Sequence, residues 1–161
     1  MLSIIIVIIS ILNLKYLIKP NKVSSKKSSL EIRNALSKFL EDTSNNWNYI
    51  LPTELYKENL SKYFLLDIRK NKDYNKGHID GAINIYWKDL LKEKNLKKLP
   101  FNKEIIIICY VGHTSSQVLV LLKLLGYNVR ALKFGMGISP VKSVKIAGWN
   151  SYGYKTKKIS N

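Results

Sequence analysis

Four consecutive isoleucines, Ile105 to Ile108, run without a break into the chain's single cysteine, Cys109. A short β-branched run that is apolar on both faces suits a central strand covered on both sides, as a parallel sheet provides. The next residues, CYVGHTSSQ, lead into SSQVLVLLKLLGY, which is apolar on nearly every side and closes at Gly126 as a left-handed C-cap. NVRAL then reads as a further strand. Upstream, WNYI is a short strand, and PTELYKENL is a helix opened by Pro52. YFLLDIR is a buried parallel strand, and GAINIY is another strand after a turn from Gly77 to Gly81. Strands alternating with helices imply an α/β fold, a small parallel sheet flanked by helices on both faces. Ligands in such sheets sit beyond the C-terminal strand ends.

Cys109 stands at such an end. A turn from strand into helix aims successive backbone N–H groups at one point, and the helix N-terminus adds about half a positive charge there. An anion is favoured at that point, whether a thiolate, a persulfide or a bound oxyanion. For a thiol the expected consequence is a lowered pKa and a more reactive sulfur. Gly112 supplies the freedom in φ that a tight cradle needs. Thr114 opens the pattern T-S-S-Q, a capping box with Gln117, so the loop is expected to span the six residues Cys109 to Thr114. A buried structural cysteine is the other reading of a lone thiol.

The remaining composition narrows the chemistry. At 161 residues the chain holds one domain of about 100 to 150 residues plus an appendage. With one cysteine there is no internal disulfide and no multi-cysteine metal site, and His78 and His113 lie in unrelated contexts. No metal and no cofactor are therefore expected. The net charge of +16 is spread over three lysine-rich stretches without a recognition helix, zinc-finger spacing or aromatic RNA-binding motif. It reads as a lysine-coated surface and not as a nucleic-acid site.

Residues 2–18 begin LSIIIVIISILNL and form an apolar tract of about 17 residues, the lower limit for spanning a bilayer. No basic start or small-residue cleavage site accompanies them, so an N-terminal hydrophobic helix acting as an uncleaved membrane anchor, residues 1–19, is expected. Lysines 15, 19, 22, 26 and 27 favour the cytoplasm for the domain that follows. Residues 20–29, PNKVSSKKSS, read as a flexible linker. SLEIRNALSKFLED reads as an accessory helix over residues 29–42, packed on the domain edge behind a serine cap. The expected organisation is an anchor at 1–19, linker and helix at 20–45, the domain at 46–154 and a basic tail at 155–161, as a monomer.

Two blocks resemble the rhodanese family. FLLDIRKNKDYNKGHIDGAINI is similar to the family's N-terminal signature, and IIIICYVGHTSSQVLVLLKLLGYNVRALKFGM to its active-site strand, loop and helix. The two stand in the family's order, and the likeness covers roughly residues 46–154. The resemblance implies a sulfurtransferase in which Cys109 takes sulfane sulfur from a small donor, holds it as a persulfide and passes it to a thiol or cyanide. Backbone N–H groups of Tyr110, Val111, Gly112, His113, Thr114 and Ser115 would cradle the charged sulfur, with Asp67 and Arg69 nearby. Arg69 either supplies charge to the site or forms a structural salt bridge, and His78 braces its own turn.

The departures bear on the donor. Thiosulfate-using members favour arginine directly after the cysteine and often a further cation, where this chain has Tyr110 and Val111. A dianion would find fewer charge-assisted hydrogen bonds there, with His113 a partial substitute when protonated. Thr114 agrees with one accepted variant of the last loop position. The related phosphatases use a loop one residue longer closed by arginine, and Ser115 occupies the place that arginine would take. A non-catalytic rhodanese-like binding module remains the rival reading.

Overall fold

The structure is a computed structural model and describes residues 22–41 and 47–159. In chain order the helices and strands are α1 (Lys22–Glu41), β1 (Tyr49–Ile50), α2 (Pro52–Lys57), β2 (Phe64–Asp67) and α3 (Asn71–Lys76). Then follow β3 (Ile83–Asn84), α4 (Glu93–Leu96), β4 (Ile105–Ile108), α5 (His113–Leu124) and β5 (Val129–Leu132). The sheet has five strands in the order β1-β5-β4-β2-β3, every pair parallel. This is the expected α/β class, with the isoleucine strand in the middle.

Alternation along β4 shows why the sheet is covered on both sides. Ile105 and Ile107 point to the face where Val118, Leu119 and Leu122 of α5 pack. Ile106 and Ile108 point to the other, against Leu55 of α2, Tyr74 of α3, Met136 and Trp149. All four isoleucines are fully buried. Continuing the alternation, Cys109 falls on the α5 side, which sets the direction of its sulfur.

α5 ends as expected. Gly126 has φ +86°, and Tyr127 N–H bonds Leu122 O while Gly126 N–H bonds Lys123 O, a Schellman closure. Its start differs from the expected capping box. The helix begins at His113, and the N-cap is Gly112 at φ +97°, not Thr114. Ser115 and Ser116 hydroxyls instead donate to Gly112 O, at 2.8 Å each. A left-handed residue turns the chain more sharply than an extended cap, so the helix starts within the stretch expected to be loop.

The chain divides into two units between Lys38 and Phe39. α1 is 20 residues long and begins at Lys22, so residues 22–29 are helical where a flexible linker is expected. No glycine or proline lies between Lys22 and Ser29, and once the apolar segment nucleates a helix, lysines and serines extend it at small cost. Its apolar positions Leu30, Ile32, Leu36 and Leu40 are exposed. Among the described residues no helix is long and apolar enough to cross a membrane. The apolar tract 2–18 lies outside the described residues.

Candidate active site

Strand register places the chemistry. Asp67 of β2 pairs with Ile108 of β4, so the chain leaving each strand emerges side by side. Beyond β5, Met136 N–H donates to Cys109 O at 2.9 Å and Ile138 N–H to Tyr110 O at 3.1 Å. The loop after β4 is thereby held between two neighbours. Gly135, at φ +52°, permits this approach, because a Cβ there would collide with the carbonyl of Cys109.

Cys109 is 2% exposed. Its Sγ accepts the Gly112 N–H at 3.1 Å and lies 3.3 Å from Ser115 Oγ, so the sulfur turns toward the start of α5. Gly112 is the one amide of residues 110–115 that reaches Sγ, fewer than the sequence suggests. Ser115 is fully buried, and its hydroxyl links Sγ to the carbonyl of Gly112. Ser116 N–H bonds Gly112 O, which leaves the first amides of α5 without intrahelical partners, as at any helix start.

A cavity of about 480 Å³ opens over the cysteine, lined by Cys109, Tyr110, Val111, His113 and Thr114 from the loop. Lys70, Lys72 and Asp73 line it from the segment after β2, and Ile138, Ser139 and Pro140 from the segment after β5. The sequence reading missed these last two groups. The parallel topology was the available signal: whatever follows β2 and β5 must flank whatever follows β4. Lys70 and Lys72 thus supply cations that the loop lacks.

Tyr110 forms one wall. Its hydroxyl donates to Asp73 Oδ2 at 2.6 Å and accepts Lys70 N–H at 3.3 Å. Burial, reinforced by the Asp73 hydrogen bond, pushes its phenol up to about 12, and the same bond holds the Asp73 carboxyl below its ordinary value. The tyrosine is neutral, and its polarity is spent on Asp73.

Asp67 and Arg69 do not line the cavity. Both side chains have zero exposure, and Arg69 Nη2 meets Asp67 Oδ2 at 2.6 Å. Arg69 Nε also donates to both carboxylate oxygens, its Nη2 to Gly77 O at 2.8 Å, and its backbone N–H to Asp67 Oδ1. The guanidinium lies 5.9 Å from the centre of the Tyr110 ring, beneath the wall and not in the site. Of the two roles open to Arg69, the geometry is that of a buried ion pair. His78 is buried, stacks on Tyr74 at 3.9 Å and bonds Tyr74 O, bracing its own turn.

A family model described as the rhodanese-like domain matches residues 52–137. No curated protein matches the chain. Among solved structures, a rhodanese-related protein from Thermoplasma volcanium is 27% identical with a TM-score of 0.57, over 70% of this chain and 98% of that one. The Rhodanese_3-like domain of the Anabaena sp. Alr3790 protein is 27% identical with a TM-score of 0.50, over 62% of this chain and 95% of that one. A rhodanese-like domain protein from Staphylococcus aureus, at 22% identity and a TM-score of 0.50 over 61% of this chain and 96% of that one, shares the fold. With this sheet order, a cysteine loop opening a helix after the central strand, and a family match over more than half its length, the chain belongs to the rhodanese-like domain family.

Proposed function

We propose that the protein is a sulfurtransferase that carries sulfane sulfur on Cys109. The observation that supports it best is the Gly112 N–H aimed at Sγ from 3.1 Å, at the floor of a cavity and the mouth of α5. An N–H directed at sulfur, next to a helix start, stabilises negative charge on it. In the first step the Cys109 thiolate attacks the outer sulfur of a donor. The donor's sulfur bond breaks, and its electron pair leaves with the donor remnant, sulfite in the case of thiosulfate. In the second step a thiolate or cyanide attacks the outer persulfide sulfur, and the electron pair of the S–S bond returns to Cys109. An outer sulfur stands about 2 Å beyond an Sγ that already accepts the Gly112 N–H at the start of α5.

Lys70 and Lys72 favour an anionic donor despite Tyr110 in the position after the cysteine. A donor screen with mass spectrometry tests the reading. A gain of about 32 Da confined to Cys109, and loss of thiocyanate formation in Cys109→Ser, are expected. Absence of the adduct across thiosulfate, persulfide and polysulfide donors favours instead a binding module, a reading supported by the near-complete burial of Cys109. We also assign residues 2–18 as a membrane anchor from their apolar run, with the domain on the cytoplasmic side by the lysines that follow. Recovery of the chain in the supernatant after alkaline carbonate extraction of membranes refutes the anchor.

A further inference from the structure

All five strands run the same way, so the segments that enter them gather at one end of the sheet, and Cys109 leaves β4 at the other. The entering end carries large apolar side chains in the open. Trp47, before β1, is 70% exposed; Phe101, before β4, is 68% exposed, its ring stacked on Tyr127 at 4.2 Å. β5 lies between β1 and β4, and Leu125, which precedes it, is exposed as well. The segments at this end are also basic. Residues 57–63, 97–104 and 123–128 hold two acids, Glu58 and Glu104. Each is taken up in an ion pair, with Lys62 at 2.6 Å and with Arg130 at 2.7 Å. Lys57, Lys98, Lys103 and Lys123 on the same segments leave a surplus of positive charge.

We propose that this end of the sheet docks on an anionic lipid surface through Trp47, Phe101 and Leu125, and holds the Cys109 cavity away from the bilayer. The proposal rests on the anchor reading of residues 2–18, which brings a bilayer within reach. Aromatic rings settle at headgroup depth, and lysines around them meet lipid phosphate. In sequence, the apolar tract leads through α1, whose Leu30, Ile32, Leu36 and Leu40 are exposed, to Trp47. A helix of 20 residues is about 30 Å long. A tether of that length lets either end of the domain touch the bilayer, so surface chemistry decides between them. At the cavity end, Val141 and Val144 are exposed beside Lys142 and Lys145, but residues 138–146 carry no aromatic ring. Lipid there would also crowd the cavity that Ile138 and Pro140 line.

The test uses the full chain in vesicles of phosphatidylcholine and phosphatidylglycerol whose acyl chains carry bromine, a contact quencher of tryptophan. Emission of the unsubstituted protein is expected to be quenched, and Trp47→Phe to remove most of the effect, since Trp149 is buried and Trp87 follows β3 at the other end. Adding Phe101→Trp to Trp47→Phe should restore quenching, whereas adding Val144→Trp should not. Lys57→Ala/Lys98→Ala should lower the ratio of quenched to unquenched protein about tenfold; an unmoved ratio overturns the anionic surface. A chain that floats with the vesicles while Trp47 stays unquenched, or in which Val144→Trp is quenched and Phe101→Trp is not, overturns the docked end and leaves the anchor standing. Quenching of Trp47 in a chain that alkaline carbonate releases from the vesicles does the reverse.

Discussion

Replacing Asp67 by asparagine removes one charge from a pair with no exposed side-chain surface and leaves the other in place. In the native chain the Asp67 carboxylate receives Arg69 N–H, Nε twice and Nη2. An asparagine amide keeps one acceptor oxygen and turns an N–H₂ toward a guanidinium, so the arginine charge is left buried and uncompensated. Breaking a buried pair in this way costs about 3 to 5 kcal/mol, which for a chain of this size lowers Tm by roughly 6 to 20 °C. The double substitution Asp67→Leu/Arg69→Met removes both charges and loses mainly the bond to Gly77 O, so it costs about 1 to 3 kcal/mol. The expected order of Tm is therefore native, then double, then Asp67→Asn. Thermal unfolding followed by circular dichroism reads the order, and persulfide loading well below Tm reads function. An Asp67→Asn protein with native Tm and lost sulfur loading refutes the reasoning, because the carboxylate would then serve the substrate and not the fold.

Gly112→Ala should lower both stability, by about 1 to 2 kcal/mol, and the rate of persulfide formation. Its φ is +97° and the new Cβ meets Phe134 N at 3.1 Å, which moves the N–H off Sγ; unchanged loading would contradict the role given to that amide. Tyr110→Phe should delete the phenolate component that titrates up to about 12 in ultraviolet absorbance. Because the folded pKa of Tyr110 is raised, the folded state holds its proton longer than the unfolded chain, so its contribution to stability is complete below pH 10 and lost as pH rises toward 12. Asp73 has the opposite sign: its carboxyl is lowered, chiefly by the Tyr110 bond, so its contribution is present above its ordinary value and lost as pH falls. Tyr110→Phe should shrink that acid-side loss, measured by urea unfolding against pH. Lys70→Ala/Lys72→Ala should raise KM for thiosulfate about tenfold and flatten its salt dependence; an unaltered KM removes these lysines from donor binding.

The central strand of the fold was legible together with its bounds, whereas the edge strands within WNYI and GAINIY were legible in place but shorter than read, for one physical reason. β4 is covered on both faces, so its isoleucines, the helix after it and the Gly126 closure carry strong local signals. β1 and β3 are two-residue edge strands whose pairing depends on neighbours far away in sequence. The start of α5 misled by two residues because Thr114 offers a good capping pattern, while the left-handed turn at Gly112 packs against Phe134, more than twenty residues downstream. The start of α1 was misplaced because serine and lysine tolerate both linker and helix. Cys109, Gly112 and Ser115 stand together in contiguous sequence, but Ser115 was named for its N–H, whereas its hydroxyl is what lies beside Sγ.

The charge of the site shows where contiguous reading stops. Judged by its loop, the site lacks a cation, for Tyr110 and Val111 follow the cysteine. Judged by its cavity, two lysines and one aspartate line it, and all three come from the segment after β2. Tyr110 is what makes this arrangement possible. Its ring lies over Arg69, whose charge is committed to Asp67, and its hydroxyl holds Asp73, the one carboxylate that lines the cavity with Lys70 and Lys72. An arginine at the same place would pair with Asp73 and cancel its own charge, so Tyr110→Arg alone should improve thiosulfate use little. Tyr110→Arg/Asp73→Asn leaves the new guanidinium unpaired and should improve kcat/KM for thiosulfate about tenfold over the single variant. Equal rates in steady-state thiocyanate formation would show that Asp73 does not govern the field at the sulfur.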